Sequence, residues 1–67
     1  MELWINQKQE SVEQNTVVTG LLRQLGIDNV EGLAVAVNNE VVPRVQWPHH
    51  FLKEQDRISI LRAVQGG

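Results

Sequence analysis

The sequence contains no cysteine, and this absence excludes several kinds of chemistry at once. Disulfide frameworks, thiolate metal sites and cysteine nucleophiles all require a residue that the chain does not have. A chain of 67 residues has room for one domain with one modest core. That core must hold without covalent cross-links.

Long apolar runs and clusters of positive charge are also missing. No stretch approaches the ~20 apolar residues that span a bilayer. The chain begins Met1-Glu2-Leu3-Trp4, with an acidic residue where a signal peptide has a basic segment followed by an apolar one. We therefore expect a cytoplasmic protein with no membrane partner. The net charge is −2 and the six basic residues are scattered, which argues against nucleic acid as a partner.

Neither the histidines nor the acidic residues form a recognisable catalytic or metal-binding motif. His49 and His50 are adjacent, so their side chains point apart in an extended segment, and no third metal ligand is evident. We therefore expect surface histidines and no metal site. The acidic pairs fall in turns or in an expected edge strand, where we expect solvated carboxylates; they are Glu10 with Glu13 and Glu54 with Asp56.

The first half of the chain predicts a hairpin followed by a helix. Leu3 and Ile5 alternate with outward positions, which is typical of a half-buried strand, and residues 10–13 are expected to return antiparallel to it. Residues 17–25 then change to helical spacing. The apolar stripe of this helix consists of Val17, Val18, Leu21, Leu22 and Leu25.

The two ends of the predicted helix have their own sequence markers. Thr16 stands where its hydroxyl can accept from an otherwise unpaired amide, so we expect it to be the N-cap. Gly26 is expected to be the left-handed residue that follows the last turn. Because a helix of about ten residues is too short to persist alone, it must pack on a sheet.

The second half of the chain supplies the remaining strands. Residues 33–37 form a nearly continuous apolar run, which favours a central strand. Asn38-Asn39 is a turn pair that tolerates positive φ, and Val41-Val42 begins a short strand that ends at Pro43. Residues 57–62 alternate again, with Ile58 and Ile60 expected to face inward.

Residues 44–52 are expected to be irregular, with one helical turn at most, and to be anchored by the packing of Trp47 and Phe51.

The order hairpin, helix, strand, short strand, last strand predicts the β-grasp architecture. This is an α+β fold in which one helix crosses one face of a mixed four- to five-stranded sheet. We expect the domain to span residues 1–62 and a flexible tail to span residues 63–67. The predicted core consists of Leu3, Ile5, Val18, Leu21, Leu22, Leu25, Val35, Val37, Ile58 and Ile60.

The chain ends in Gly66-Gly67, and this pair is the feature with chemical consequences. Without side chains, the last peptide can enter a slot only as wide as a backbone. The terminal carboxylate is ionised at neutral pH and unreactive until it is activated. Attack on the α-phosphate of ATP would activate it. Another protein must catalyse this step, because the chain has no phosphate-binding loop of its own.

The whole chain resembles the thiamine-biosynthesis sulfur-carrier family, the ThiS family. The resemblance rests on residues 1–6, on Thr16-Val17 with the leucines of the helix, on residues 36–44 followed by Trp47, on Asp56-Arg57-Ile58, and on Gly66-Gly67. One departure is Glu54-Gln55-Asp56, where the family often has Asp-Gly-Asp. If this turn needs a positive φ, Gln55 is strained.

The resemblance implies a carrier and not an enzyme. A ubiquitin-activating-like adenylyltransferase would use ATP and Mg²⁺ to adenylate Gly67, while Gly66 provides clearance and the carrier itself binds no cofactor. Sulfur from a cysteine desulfurase persulfide would then give a thiocarboxylate, which thiazole synthase would accept. The resemblance also implies a monomer when the chain is free. Three alternatives stay open: a molybdopterin-synthase-type carrier, a ubiquitin-like modifier, and an interaction module whose Gly-Gly end is incidental.

A docking surface is predicted on the face of the sheet away from the helix. If Ile58 and Ile60 face the helix, then Trp4 and Leu61 lie on the other face, and exposed apolar patches often mark partner sites. Arg57 and Arg62 are expected to flank this patch and to pair with acidic residues of a partner.

Overall fold

The computed structural model describes residues 1–63, which form a five-stranded sheet and one α-helix. The strands are β1 (Glu2–Ile5), β2 (Lys8–Ser11), β3 (Leu33–Val37), β4 (Glu40–Val41) and β5 (Arg57–Arg62), and the helix is α1 (Val18–Gln24). A 3-10 helix spans Arg44–His49. The order of the strands across the sheet is β2-β1-β5-β3-β4.

The sheet is mixed because β1 and β5 run parallel while the other neighbours are antiparallel. Strand β5 therefore lies in the middle, between the two hairpins. Both hairpins have two-residue loops in which each residue has a positive φ, Asn6-Gln7 in the first and Asn38-Asn39 in the second. Loops of this kind match the right-handed twist of the flanking strands.

The core lies between the sheet and the two helices. Alternate residues of β1, β3 and β5 face α1, whose own buried residues are Val18, Leu21 and Leu22. Eight of the ten predicted core residues are buried, whereas Leu25 and Ile60 are partly buried and pack against the cluster. Four buried apolar residues were not in the prediction: Val12, Val42, Trp47 and Leu52.

The predicted start of the helix was wrong. Val17 is the N-cap residue, with extended backbone angles and no side-chain cap. The Thr16 hydroxyl instead donates to the carbonyl of Glu13, at 2.7 Å. The N–H of Val18 donates to the carbonyl of His50, and this long-range bond satisfies one of the amides that a cap would serve.

The predicted end of the helix is confirmed. Gly26 has a φ of +78°, and its N–H donates to the carbonyl of Arg23 at 3.0 Å. The N–H of Ile27 donates to the carbonyl of Leu22 at 2.9 Å. These two bonds form a Schellman motif, in which a left-handed residue lets the chain turn back over the last helical turn.

Two other predictions need correction. Strand β2 begins at Lys8 and not at residue 10, because the two-residue loop leaves no room for a longer turn. Phe51 was expected to pack in the core, but its side chain is 58% exposed. Trp47 does pack as expected, and its indole N–H donates to the carbonyl of Val42 at 2.8 Å.

The predicted β-grasp fold is present, with five strands. Residues 64–67 of the predicted tail lie outside the described residues, so the predicted boundary at 62/63 stays a prediction. Ala63 lies just after β5, and its N–H donates to the carbonyl of Gly32 at 2.9 Å. Within residues 1–63, no helix is both long and apolar enough to cross a membrane.

Candidate functional site

Strand β5 leads directly to the C-terminal tail, so its last described residues form the base of the candidate site. Gly66 and Gly67 themselves lie outside the described residues. At the base, Arg62 pairs with Leu33 of β3. The guanidinium group of Arg62 donates to the carbonyl of Glu31 at 3.0 Å and to that of Asn29 at 2.6 Å. The start of the tail is thus bound to the loop that precedes β3.

The face of the sheet away from α1 is uncovered by residues 1–63. Its side chains alternate with the buried ones, and the strand register brings them side by side. The residues of this open face used below are Trp4, Ala34, Ala36, Val41, Arg57 and Leu61. Each is exposed or only partly buried. The open face therefore extends from β4 across the sheet to β1, and along β5 to Leu61 near the base of the tail.

Trp4 and Arg57 are paired across the parallel strands β1 and β5. The guanidinium carbon of Arg57 lies 5.8 Å from the centre of the Trp4 ring, within the range of a cation–π contact. The indole N–H of Trp4 donates to Oε1 of Gln55 at 3.0 Å. These two contacts orient the indole ring on the open face and place a positive charge over it.

Leu61 and Val41 supply the apolar part of the open face. Leu61 is 67% exposed and pairs with Ala34, while Val41 is 74% exposed and pairs with Ala36. The sequence predicted Leu61 at this surface but missed Val41. From the sequence alone, either valine of the Val41-Val42 pair could face the core. Only the register with β3 shows that Val42 is buried and that Val41 lies on the open face.

Arg62 occupies a different position from the one that the sequence suggested. Successive residues of a strand point to opposite faces of the sheet, so Arg62 lies on the face opposite to Leu61. Its guanidinium group is turned toward the loop at residues 29–31. Of the four predicted docking residues, the structure brings Trp4, Arg57 and Leu61 to one face. The docking role of all four stays a prediction.

The histidines lie away from the base of the tail. They line an open hollow of about 520 Å³ together with residues of β4 and the segment that follows it. His49 is exposed and His50 is partly buried. Nowhere in residues 1–63 do three or more histidine, aspartate or glutamate side chains come together as a metal site would require.

Comparison with known proteins decides the family. The model of the ThiS family matches residues 2–67, which is nearly the whole chain and includes the terminal glycines.

The chain belongs to the ThiS family.

Individual relatives agree with this assignment. The chain is 31% identical to the sulfur carrier protein ThiS of Escherichia coli K12, over the full length of both chains. It is similar to the crystal structure of the thiamine biosynthesis protein ThiS from Geobacter metallireducens, with a TM-score of 0.87, 30% identity and complete coverage of both chains. The solution structure of a thiamine biosynthesis protein from the same organism gives a TM-score of 0.80 at 30% identity. That comparison covers all of this chain and 88% of the other.

Residues that carried the ThiS resemblance meet in one hydrogen-bond network at the start of β5. The side chain of Asn38 donates to Oδ1 of Asp56 at 3.0 Å and accepts from the N–H of Arg57 at 2.9 Å. Oδ2 of Asp56 accepts from the N–H of Lys53 at 2.7 Å. This network fixes the turn before β5 and with it the position of Arg57 on the open face.

A second asparagine of the ThiS resemblance supports the other side of β5. Strand β1 ends at Ile5, so on the β1 side the backbone of Ile60 has no strand to pair with. The Asn6 side chain takes that place: its Nδ2 donates to the carbonyl of Ile60 at 3.1 Å, and its Oδ1 accepts from the N–H of Ile60 at 2.8 Å. Strand β5 is therefore held on both sides close to the base of the tail.

Proposed function

We propose that this chain is a sulfur carrier of thiamine biosynthesis and that the carboxylate of Gly67 is its reacting group. The observation that carries the proposal is the match to the ThiS family over residues 2–67, together with a full-length relative that is named a sulfur carrier protein. A carrier of this kind is a protein substrate and not a catalyst. Its partners are enzymes of thiamine biosynthesis.

The chemistry begins with activation of the terminal carboxylate. A carboxylate oxygen of Gly67 attacks the α-phosphate of ATP, pyrophosphate leaves, and an acyl-adenylate forms. A ubiquitin-activating-like adenylyltransferase supplies the active site, the ATP and the Mg²⁺. Gly66 has no side chain, so the end of the tail is narrow enough to enter a channel that admits only a backbone.

Sulfur then replaces the adenylate. The terminal sulfur of a persulfide, formed by a cysteine desulfurase, attacks the acyl carbon of Gly67 and AMP leaves. Reduction of the S–S bond by a thiol releases the thiocarboxylate. Thiazole synthase accepts the sulfur for the thiazole ring and returns the carrier with a carboxylate. We propose that these reactions take place in the cytoplasm, where ATP is available, and that the free carrier is a monomer.

The open face is the surface by which the partner enzymes hold the body of the carrier. It offers exposed apolar area at Leu61 and Val41 beside the positive charge of Arg57, and such a surface fits a partner patch with an apolar centre and an acidic rim. Leu61 stands only six residues before Gly67. Docking at this face therefore places the tail close to the partner that must act on it.

Intact-mass analysis tests the carrier role. After incubation with ATP, Mg²⁺, the adenylyltransferase and a persulfide source, the chain should gain the mass difference between sulfur and oxygen. A chain lacking Gly67 is the control and should gain none. An unchanged mass of the full chain, or an equal gain without Gly67, would contradict the proposal. A mass equal to a lysine conjugate would instead favour a modifier.

Substitution of Leu61 by alanine tests the docking face. We expect the Kd for the adenylyltransferase to rise about tenfold, roughly 1.4 kcal/mol, because an apolar contact at the centre of an interface is lost. Val45→Ala is the matched control, since Val45 is 76% exposed but lies on the 3-10 helix and not on the open face. Equal effects of the two substitutions, measured by isothermal titration calorimetry, would place the interface elsewhere.

A further inference from the structure

We propose that Arg62 is a positioning residue that fixes the base of the tail. We call the residues whose hydrogen bonds hold this base the tail collar; they are Asn29, Glu31, Gly32, Arg62 and Ala63. This inference rests on the proposed function, because it concerns how the reacting carboxylate of Gly67 is presented to a partner. It gives Arg62 a role different from the docking role that the sequence suggested.

The first observation is the pair of hydrogen bonds from the guanidinium group. Nη1 donates to the carbonyl of Glu31 at 3.0 Å and Nη2 donates to the carbonyl of Asn29 at 2.6 Å. Two donors on one rigid plane meet two acceptors, so the geometry is specific to arginine, and charge-assisted bonds are stronger than neutral ones. A lysine ammonium group has no such fork.

The second observation is the backbone bond of the next residue. The N–H of Ala63 donates to the carbonyl of Gly32 at 2.9 Å. Gly32 has a φ of +72°, which glycine adopts without strain. A Cβ added at Gly32 would lie 3.5 Å from the carbonyl oxygen of Ala63, an ordinary contact distance. Substitution there would therefore disturb the collar through backbone strain and not through a clash.

The loop that carries the acceptors is itself braced, so it can serve as a fixed support. The N–H of Glu31 donates to Oδ1 of Asn29 at 3.0 Å, and the N–H of Leu33 donates to the carbonyl of Val30 at 3.0 Å. The loop begins at the end of α1 and continues into β3. The collar therefore connects the start of the tail to the helix and to the sheet.

The position of Ala63 matters because the remaining tether is short. Four residues follow it, and at ~3.3 Å per residue they reach about 13 Å. Once the body is docked, arrival of the carboxylate at the α-phosphate is an intramolecular event that depends on tether length and starting point. A shift of ~1 Å in a reacting group can cost about a hundredfold in rate. A loosened base should therefore slow the adenylation step.

The test separates positioning from docking by two measurements on matched variants. Arg62→Met keeps an apolar stem and removes the donors. We expect hydrogen exchange at the Ala63 amide to accelerate about tenfold or more and kcat for adenylation to fall about tenfold, with KM for the carrier unchanged. Arg57→Met makes the same chemical change on the open face. It should raise KM and leave Ala63 exchange as it is.

Gly32→Ala provides a second route to the same outcome without changing charge. It should also accelerate exchange at Ala63 and lower kcat, whereas Arg62→Lys should fall between the native chain and Arg62→Met. Unchanged Ala63 exchange in Arg62→Met, a raised KM in that variant, or faster exchange with a normal kcat would each overturn the proposal. If the native chain is not adenylated at all, the proposed function itself fails, and Ala63 exchange still reports whether the collar exists.

Discussion

The side chain of Asp56, the residue just before β5, is buried and both of its carboxylate oxygens are hydrogen-bonded. One accepts from the Asn38 side chain and the other from the backbone of Lys53. The prediction of a solvated carboxylate at this position was therefore wrong. A buried carboxylate is tolerated when its oxygens are hydrogen-bonded, and every buried side-chain polar atom in residues 1–63 has a partner. Asp56 is thus a structural residue that sets the turn before β5.

Asp56→Ala should lower the free energy of unfolding by about 1–3 kcal/mol, because it leaves the N–H of Lys53 and the amide of Asn38 without their acceptor. Urea denaturation measures the change. Asp28→Ala is the matched control, since Asp28 is exposed, and it should alter the stability by less than about 0.5 kcal/mol. Comparable losses in the two variants would contradict a structural role for Asp56.

Several polar residues at turns have a positive φ, a conformation that strains most side chains. Asn6, Asn38 and Asn39 adopt this conformation in the hairpin loops, and asparagine tolerates it better than most residues. Gln55 has a φ of +68°, so the strain that the sequence suggested at the Glu54-Gln55-Asp56 turn is confirmed. Its side chain accepts a hydrogen bond from the indole N–H of Trp4, and a glycine at this position could not accept that bond.

At the scale of the element, α1 shows how one residue type can have opposite effects at two positions. Gly20 lies inside the helix, and a Cβ there would meet Thr16 Cγ2 at 3.6 Å, an ordinary contact. Gly26 ends the helix with a φ of +78°, and a Cβ there would meet nothing within 4 Å. Any cost of substitution at Gly26 is therefore conformational.

Alanine should stabilise the protein at one of these glycines and destabilise it at the other. We expect Gly20→Ala to raise the free energy of unfolding by about 0.5–1 kcal/mol, through helix propensity and a less flexible unfolded chain. Gly26→Ala should lower it by about 1 kcal/mol, because the left-handed conformation is strained for alanine. Thermal unfolding of the two variants side by side checks the sign. A loss at Gly20 would mean that close packing there is tighter than the contact distance indicates.

At the scale of the whole molecule, the body and the reacting end of the carrier are expected to be separable. The core cluster and the hydrogen bonds that brace β5 all lie within residues 1–63. The proposed chemistry takes place at Gly67. In the proposed function, partners recognise the folded surface and transform the terminus.

Removal of Gly66 and Gly67 should therefore leave folding almost unchanged. We expect the free energy of unfolding of the chain ending at Gln65 to stay within about 0.5 kcal/mol of the full chain, since no core residue is removed. Urea denaturation of both chains measures this. A loss of more than about 1 kcal/mol would mean that the terminal glycines contribute to the folded body, which would contradict the predicted division into a domain and a tail.

The sequence by itself determined the architecture and the family. Alternation in β1 and β5, helical spacing in α1 and the apolar run of β3 report which side of each element is buried, and burial is a property that local sequence records. The β-grasp order and the end of the helix at Gly26 followed from local patterns, whereas the ThiS resemblance rested on particular residues, above all residues 36–44 with Trp47 and the terminal Gly66-Gly67.

Only the tertiary structure decided what depends on contacts between distant segments. The start of the helix depends on a segment more than thirty positions away: the carbonyl of His50 accepts from the N–H of Val18, and the carbonyl of Thr16 accepts from the N–H of Leu52. Val41 joins the open face because its register with β3 turns it there. Arg62 lies on the opposite face by alternation with Leu61, and only the tertiary structure shows that its guanidinium group binds the carbonyls of Asn29 and Glu31. The spacing of apolar residues, every second residue in a strand or every 3.6 residues in a helix, indicates which face of the element is buried. The hydrogen-bond partner of a side chain depends instead on which strand or loop lies beside it in the folded protein.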